Sequence, residues 1–384
     1  MNDRAALDLL VAHGPLTRTQ LGELTGLSKP TASQLLARLA AAGLVRATGT
    51  ATGRPGPNAQ LYEINASIAH VAGVEVTPLQ ITAVIADLSG TIVGEHRLAS
   101  DATGEEATRH TPALVAAAVD GALRAAGLQR DALHRTVIGT PGALDPRTGV
   151  LRYAPHLPGW QSRSLRTELD AALGTPVVIE NDVNLVALAE QDRGTAQDFD
   201  DFVLIWADDG IGAAIVLGGT LLRGATGGAG EIGYMPLPGA PLARGAETFA
   251  DPDAGGGFQR LASSPAVIAL AAEHGISAPD APTALARALA TPGAGDAVLA
   301  EVARRLATGI ASVIAVVDPE LVVLGGEVPH AGGERLLDLV SDELTGLALP
   351  RPQLRLSALD DSPILIGALR TALADARETV FDTA

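Results

Sequence analysis

Near the N-terminus, apolar residues recur at helical spacing. Ala5, Leu9 and Ala12 predict an amphipathic helix over residues 4–12, ended by Gly14-Pro15. Thr17-Arg-Thr-Gln20 is a capping-box pattern, so a short helix follows through Leu21 and Leu24 and stops at Gly26. Ser28 caps a third helix, with Pro30 tolerated in a first turn whose backbone donors are unpaired anyway. Ala32, Leu35, Leu36 and Leu39 fall at i, i+3, i+4 and i+7 and form its core stripe. The opposite face offers Lys29, Ser33, Gln34 and Arg38, and Gly43 closes the helix. The pattern then turns extended: Leu44-Val45-Arg46 reads as a strand, Gly53-Arg-Pro-Gly-Pro57 as a tight turn, and Gln60–Ile64 as the return strand.

Two short helices, a turn and a longer helix with small polar residues at its start fit helix-turn-helix docking, in which the second helix of the motif presents its first turns to base edges. The hairpin after it is a wing, and a rigid Gly-Arg-Pro tip can place an arginine in a minor groove, where the negative potential is concentrated. Candidate DNA contacts are therefore Ser28, Lys29, Thr31, Ser33, Gln34 and Arg38 on the helix, with Arg46 and Arg54 on the wing. A head of this shape can instead dimerise or hold a peptide; Ser28 can be only a cap, and Arg38 only a solvated charge.

From Val71 onward the period changes. Three strands, Val71–Val76, Ile81–Asp87 and Thr91–His96, precede helical periodicity across Glu105–Ala126 and a buried strand at Thr136–Gly139. The same opening recurs at Phe202–Ala207, Gly212–Leu217 and Thr220–Arg223, followed by a long helix over Asp296–Val317 and a strand at Leu321–Leu324. Two copies of three strands followed by helix and strand imply two stacked α/β lobes with a cleft between them, and such clefts bind small molecules. The expected division is a head at 1–66, one lobe at 67–180 and a second at 181–384, with the last helix free to return to the first lobe.

Charge sharpens the division. The net charge of −17 argues against nucleic acid, yet residues 1–65 carry six basic and four acidic side chains, a balance of +2 that leaves −19 on the rest. A small DNA-reading head on a body that repels DNA fits this asymmetry. With no cysteine among 384 residues, disulfides, thiol nucleophiles and thiolate metal sites are excluded. The opening MNDRAALDLL does not read as a signal peptide, and no stretch approaches the roughly 18 apolar residues of a membrane span, so a soluble, cytoplasmic protein is expected.

Several motifs in the body resemble one family. They are Gly139-Thr-Pro-Gly142, Tyr153-Ala-Pro-His-Leu-Pro-Gly-Trp160, Glu180-Asn-Asp-Val-Asn184, Gly210-Ile-Gly212, Leu222-Arg-Gly-Ala225, Gly228-Ala-Gly-Glu-Ile-Gly233, Met235-Pro236 and Asp318-Pro-Glu-Leu-Val-Val-Leu-Gly-Gly326. In this order and spacing they are similar to the ROK family of repressors, open reading frames and kinases, and a winged helix-turn-helix head resembles its repressor branch, of the N-acetylglucosamine, xylose or glucose type. The resemblance implies a two-lobed, actin-like sugar-kinase body of ribonuclease H-like fold. It implies sugar-hydroxyl contacts from Asn181, Asp182 and Glu231, with Asp182 at the place of the kinase base. The alternative is that Asp182 and Asn184 only cap the helix that follows.

This chain departs from the kinase pattern where phosphate chemistry is done. The family's Asp-x-Gly-Gly-Thr hairpin reads Glu75-Val-Thr-Pro-Leu79, which has lost its glycines and gained a proline that lacks a donor. The Gly-Thr-Gly-Ile-Gly loop reads Asp208-Asp-Gly-Ile-Gly212, placing two carboxylates against a triphosphate. Leu324-Gly-Gly326 survives on the adenosine side, though those glycines also suit a plain strand-to-helix turn. The family's sugar- and zinc-contacting histidine is replaced by Tyr234, its following glutamate by Gln259, and its zinc cysteines by the cysteine-free stretch Ala250–Gly257. The expectation is a non-enzymatic regulator with no cofactor or metal, binding double-stranded operator DNA as a homodimer or tetramer, with a monosaccharide effector. The rival readings are a sugar-insensitive dimeric regulator and a sugar kinase with a DNA-binding appendage.

Overall fold

The computed structural model describes residues 2–51, 59–99, 105–154, 157, 159–242, 256–359 and 362–382, with residues 2 and 105–110 described through their backbone. The head begins with α1 (Asn2–His13). Its buried stripe is Ala6, Leu7 and Leu10, while Ala5 and Ala12 face solvent, so the expected stripe has the wrong phase. Nearly every position of this helix from 5 to 12 is apolar; periodicity fixes the period, and only the neighbours fix the phase. Next come β1 (Leu16–Thr17) and α2 (Arg18–Thr25), whose capping box is present: Gln20 N–H donates to Thr17 Oγ1 at 3.3 Å, and Thr17 N–H to Gln20 Oε1 at 2.9 Å. α3 (Lys29–Ala41) is capped by Ser28 and buries Ala32, Leu35, Leu36 and Leu39 as its spacing dictates.

The wing is β2 (Val45–Ala51) paired antiparallel to β3 (Ala59–Ile64), with β1 adding a third strand through Leu16 opposite Tyr62. Two residues of β1 are too few to carry a periodic signal. Arg54, at the expected wing tip, lies outside the described residues.

The body repeats one topology twice. The first lobe contains β4 (His70–Val76), β5 (Gln80–Asp87), β6 (Ile92–Ala99), α4 (Glu105–Ala126), β7 (Leu133–Thr140), a small hairpin of β8 (Ala143–Leu144) and β9 (Leu151–Arg152), α5 (Leu165–Leu173) and β10 (Val177–Asn181). α6 (Asp182–Arg193) leads to the second lobe: β11 (Phe202–Ala207), β12 (Ile211–Leu217), β13 (Thr220–Leu221), the short α7 (Gln259–Ala262), α8 (Ser264–Glu273), α9 (Ala281–Leu289), α10 (Ala294–Val317), β14 (Leu321–Gly325), α11 (Glu327–Leu347) and β15 (Gln353–Leu356). The sheets run β6-β5-β4-β7-β10 and β13-β12-β11-β14-β15. In each, an antiparallel meander of three strands is extended from its first strand by two parallel strands. This is the duplicated ribonuclease H-like arrangement. The unbroken apolar run of β11 fits a strand covered on both faces.

The last helix, α12 (Pro363–Asp382), returns to the first sheet and packs on β4 and β7 beside α6. The two helices meet almost backbone to backbone: a Cβ on Gly367 would lie 1.9 Å from the Leu185 carbonyl oxygen. Ile364 and Leu185 fill the space above Gly139, and Leu369 that above Gly73. At its far end α12 meets the head, where the Arg4 guanidinium lies 5.4 Å from the centre of the Phe381 ring and 3.7 Å from Asp382. One buried apolar cluster therefore runs from Leu7, Leu36 and Leu39 of the head through Phe381, Ala372 and Ala368 to Leu185 of α6. Among the described residues no helix is long and apolar enough to cross a membrane.

Replacing a glycine inside a helix by alanine ordinarily stabilises it by up to about 1 kcal/mol. At residue 367 the added methyl meets backbone it cannot displace, and overpacking of that kind costs about 1–3 kcal/mol or more. Gly367→Ala is therefore expected to lower unfolding free energy by about 2 kcal/mol in urea titrations; a variant more stable than wild type would mean that the two helices do not touch.

Candidate effector cleft and DNA-reading head

The cleft is organised by the turn from β10 into α6. Asn181 is the N-cap: its side-chain oxygen accepts the Asn184 N–H at 3.0 Å, and its amide donates to the Gly142 carbonyl at 3.0 Å. The cap is thus Asn181 rather than Asp182 or Asn184, and its side chain is committed to holding the turn. Glu180 completes the anchor. Its Oε1 accepts from Asn184 Nδ2 at 2.9 Å, and its Oε2 receives Arg223 Nε at 2.7 Å, joining the first lobe to the loop after β13. Asp182 is left half-buried at the start of α6 with its carboxyl pushed up to about 6, mainly by burial, against the lowering effect of the Val183 N–H.

Glu231 stands close to it, and its carboxyl is pushed up to about 7 by burial and then by the Asp182 charge. Glu75, from the end of β4, is raised by burial and by Asp182, with Arg97 opposing. Asp208 is raised chiefly by burial, and Glu327, at the start of α11, by burial and then by Asp208, Asp209 and Asp280. Like-charged groups that raise one another's proton affinity mark a cleft short of cations. Glu75 was read only as the start of a degraded phosphate hairpin; the signal that it belongs to the cleft is the acidic residue itself, which stands where the family has its aspartate.

The turn that matches the family's phosphate hairpin is bonded largely within itself. In the turn after β4, Thr77 N–H donates to the Gln80 carbonyl, Gln80 N–H donates to Thr77 Oγ1, and Pro78 has no donor. Leu79 is 81% exposed at the tip. The Gly325-Gly326 pair is accounted for by packing: a Cβ on Gly325 would come within 2.9 Å of the Trp206 ring, and Gly326 has a φ of 92° with the Ala207 carbonyl against it.

Tyr234 sits half-buried beside Glu231, its phenol pushed up by burial and then by the charge of Glu231. Its ring faces Tyr153 of the first lobe, with centroids 5.9 Å apart and planes at 43°. Tyr153 has a φ of 62°, a conformation that costs a residue with a side chain on the order of 1–2 kcal/mol. Sequence reasoning placed Tyr153 in a motif without giving it a role. Gln259, at the start of α7, packs toward Gly233: a Cβ there would lie 2.9 Å from Gln259 Oε1. Asp182, Glu231, Tyr234 and Gln259 are thus brought to one region, with Asn181 behind them. Among the described residues no group of three potential metal ligands is found, and residues 250–255 of the cysteine-free stretch that matches the family's zinc segment lie outside them. A separate open hollow of about 530 Å³ lies against α11 and β15, lined by His330, Glu334, Arg355 and Ser357 and by none of the cleft carboxylates.

On the head, Lys29, Thr31, Gln34 and Arg38 are exposed and Ser33 is partly so. Ser28 Oγ accepts the Thr31 N–H and pairs with Thr31 Oγ1 at 2.8 Å, as a cap does. Arg38 is bound to Asp3 at 2.7 Å and Arg46 to Glu63 at 2.8 Å. Exposed pairs of this kind are worth about 0–1 kcal/mol, so a phosphate can take over either arginine.

A helix-turn-helix head with a wing, seated on a two-lobed kinase-like body, defines a DNA-binding transcriptional regulator. The MarR family model matches residues 3–54 and the ROK family model residues 71–374, and the chain belongs to the ROK family. A xylose repressor of Caldicellulosiruptor bescii is 22% identical over 395 residues, covering 98% of this chain and 96% of that protein. The crystal structure of a ROK family transcriptional regulator, a homologue of the E. coli Mlc protein, covers 100% of this chain and 98% of its own with a TM-score of 0.76 at 22% identity. That of a ROK hexokinase from Thermus thermophilus covers 80% of this chain and 99% of its own, with a TM-score of 0.64 at 32% identity. Repressors and kinases alike share this body.

The carboxyls of Asp182 and Glu231 titrate near 6 and 7 in the folded protein and near 4 once unfolded. Between those values the folded state holds the extra protons, so their contribution to stability is present below about pH 4 and is lost as pH rises through about 7. Glu231→Gln mimics the protonated form. Its melting temperature should exceed that of wild type at pH 8, by the equivalent of about 2 kcal/mol, and the gap should close toward pH 5. A gap independent of pH would show that Glu231 is not a buried acid.

Proposed function

We propose that the protein is a cytoplasmic repressor of carbohydrate-related genes whose DNA affinity is set by a monosaccharide in the cleft. It binds a near-palindromic operator as a homodimer, with the start of α3 in the major groove and Arg54 reaching a minor groove. Lys29 contacts phosphate, and Ser33 and Gln34 reach base edges. The observation that carries this reading is the continuous apolar cluster from the core of the head through α12 to Leu185 of α6. Because α6 begins at Asp182, a ligand that draws the lobes together acts on the helix against which α12 is locked at Gly367, and α12 carries Phe381 under Arg4 of the head. The sugar shifts the equilibrium only through unequal affinity for the two lobe arrangements.

Phosphoryl transfer is not part of this function. In the turn after β4 the Thr77 and Gln80 N–H groups are bonded within the turn and Pro78 has none, and the clustered charges of Asp208, Asp209 and Glu327 disfavour a triphosphate. Asp182 is retained because a carboxylate accepts a sugar hydroxyl with or without a phosphate to transfer.

Fluorescence anisotropy with DNA from upstream of the protein's own gene, at physiological salt, tests the reading. Gln34→Ala should cost about 1–3 kcal/mol on the preferred sequence and relax specificity, whereas Lys29→Ala should weaken every sequence alike and flatten the salt dependence. D-xylose or D-glucose should lower wild-type affinity and have no effect on Asp182→Ala. Equal, weak, salt-sensitive binding to all sequences would overturn the DNA-reading head, and ATP consumption with either sugar would establish a kinase instead.

A further inference from the structure

Four contacts close the mouth of the cleft between the lobes. Arg223 binds Glu180 at 2.7 Å, Tyr234 packs on Tyr153, and two glycines of the loop after β13 abut the hairpin of the first lobe. A Cβ on Gly227 would lie 2.5 Å from the Leu144 carbonyl oxygen, and one on Gly228 3.3 Å from the edge of the Tyr153 ring. Tyr153 is the member of this seam with a strained backbone, and its strain is held from two sides. Its neighbours Arg152 and Ala154 close over Gly142, where a Cβ would meet the Arg152 carbonyl oxygen at 2.3 Å and the Ala154 methyl at 2.9 Å. The Gly142 carbonyl takes the Asn181 amide. The turn that presents Asp182 and the loop that presents Tyr153 are therefore braced against each other through Gly142.

Two of the three described non-glycine residues at positive φ, Asp318 and Ser362, lie at helix ends, as Tyr153 does not. Backbone strain that a turn does not require concentrates where a side chain must be aimed. What Tyr153 is aimed at is Tyr234, whose other neighbour is Glu231.

We infer that Tyr153 is an effector-selecting residue: its ring and that of Tyr234 form an aromatic wall, built from both lobes, against which the C–H face of a pyranose lies while Asp182 and Glu231 take its hydroxyls. This rests on the sugar-binding reading proposed above. A wall of two rings gives affinity to apolar C–H area and discriminates at the ring substituent that meets it, whereas the carboxylates discriminate hydroxyl orientation. D-Xylose and D-glucose differ by one hydroxymethyl group on the pyranose and so probe the wall. Because Tyr153 comes from one lobe and Tyr234 from the other, the wall is complete only when the lobes are together.

Isothermal titration calorimetry of the full-length protein with D-xylose and with D-glucose tests the inference. Tyr153→Leu keeps apolar bulk and removes the ring. It should weaken the better-bound sugar at least tenfold and change the xylose-to-glucose affinity ratio at least fivefold, whereas Tyr153→Phe should stay within about threefold of wild type on both counts. Wild-type binding with an unaltered ratio in Tyr153→Leu would overturn the inference and leave the sugar-responsive regulator standing. A proportional loss for both sugars would do the same, reducing Tyr153 to a structural part. Failure of the wild-type protein to bind either sugar would overturn the sugar-sensing reading itself, and the inference with it.

Discussion

The architecture depends on the crossing of α6 and α12. Gly367 allows the backbone of one helix to rest on that of the other at Leu185. α6 belongs to the passage between the lobes: its N-terminus forms the floor of the cleft, and its inner face packs on the second sheet through Val183, Val186 and Ala187. α12 covers β4 and β7 of the first sheet and ends under the head. The pair is therefore shared by cleft, lobes and head. Buried polar groups strengthen the join. Glu190, fully buried near the end of α6, accepts from Thr195 N–H and Ser357 Oγ, and Arg370 of α12 donates to Gln191 at 3.0 Å. Removing one partner from such a network leaves a buried charge unmet, which costs more than the bond itself is worth.

A cleft bordered by carboxylates at the centre of a kinase-like body is a coherent electrostatic object. Each of Asp182, Glu231, Glu75, Asp208 and Glu327 is raised by burial or by another of the set, so the site disfavours anions. Gly325 and Gly326 are held by Trp206 and the Ala207 carbonyl, so the strand-to-helix turn requires them whether or not a nucleotide binds. The strongly negative body has a second consequence. As a whole it repels DNA, so the cations of the small head set the orientation of approach.

Much of this was legible in the chain. Local rules fix local features: the capping box at Thr17 and Gln20, the Ser28 cap, the stripe of α3, the span of α4 at Glu105–Ala126 and the strand at Phe202–Ala207 all stand as the residue pattern implies. So does the duplication, because each lobe needs the same order of strands and helices to bury its own sheet. The identities that depart from the family's phosphate motifs are likewise readable, since a proline lacks an N–H and an aspartate carries its charge wherever it sits.

Tertiary structure decided the rest. It chose the phase of α1, because a helix apolar on several faces buries whichever one its neighbours cover. It made Asn181 the cap, since all three polar residues of that turn could serve and only the Gly142 carbonyl selects among them. Contacts across hundreds of residues, such as Arg4 on Phe381, or across the cleft, such as Tyr153 on Tyr234, leave no periodic trace in either segment. The sequence by itself determined which elements form and where the chain departs from the kinase pattern; the packing of α12 on α6 and of one lobe on the other decided which side chains meet, because proximity belongs to the folded chain and not to its spacing.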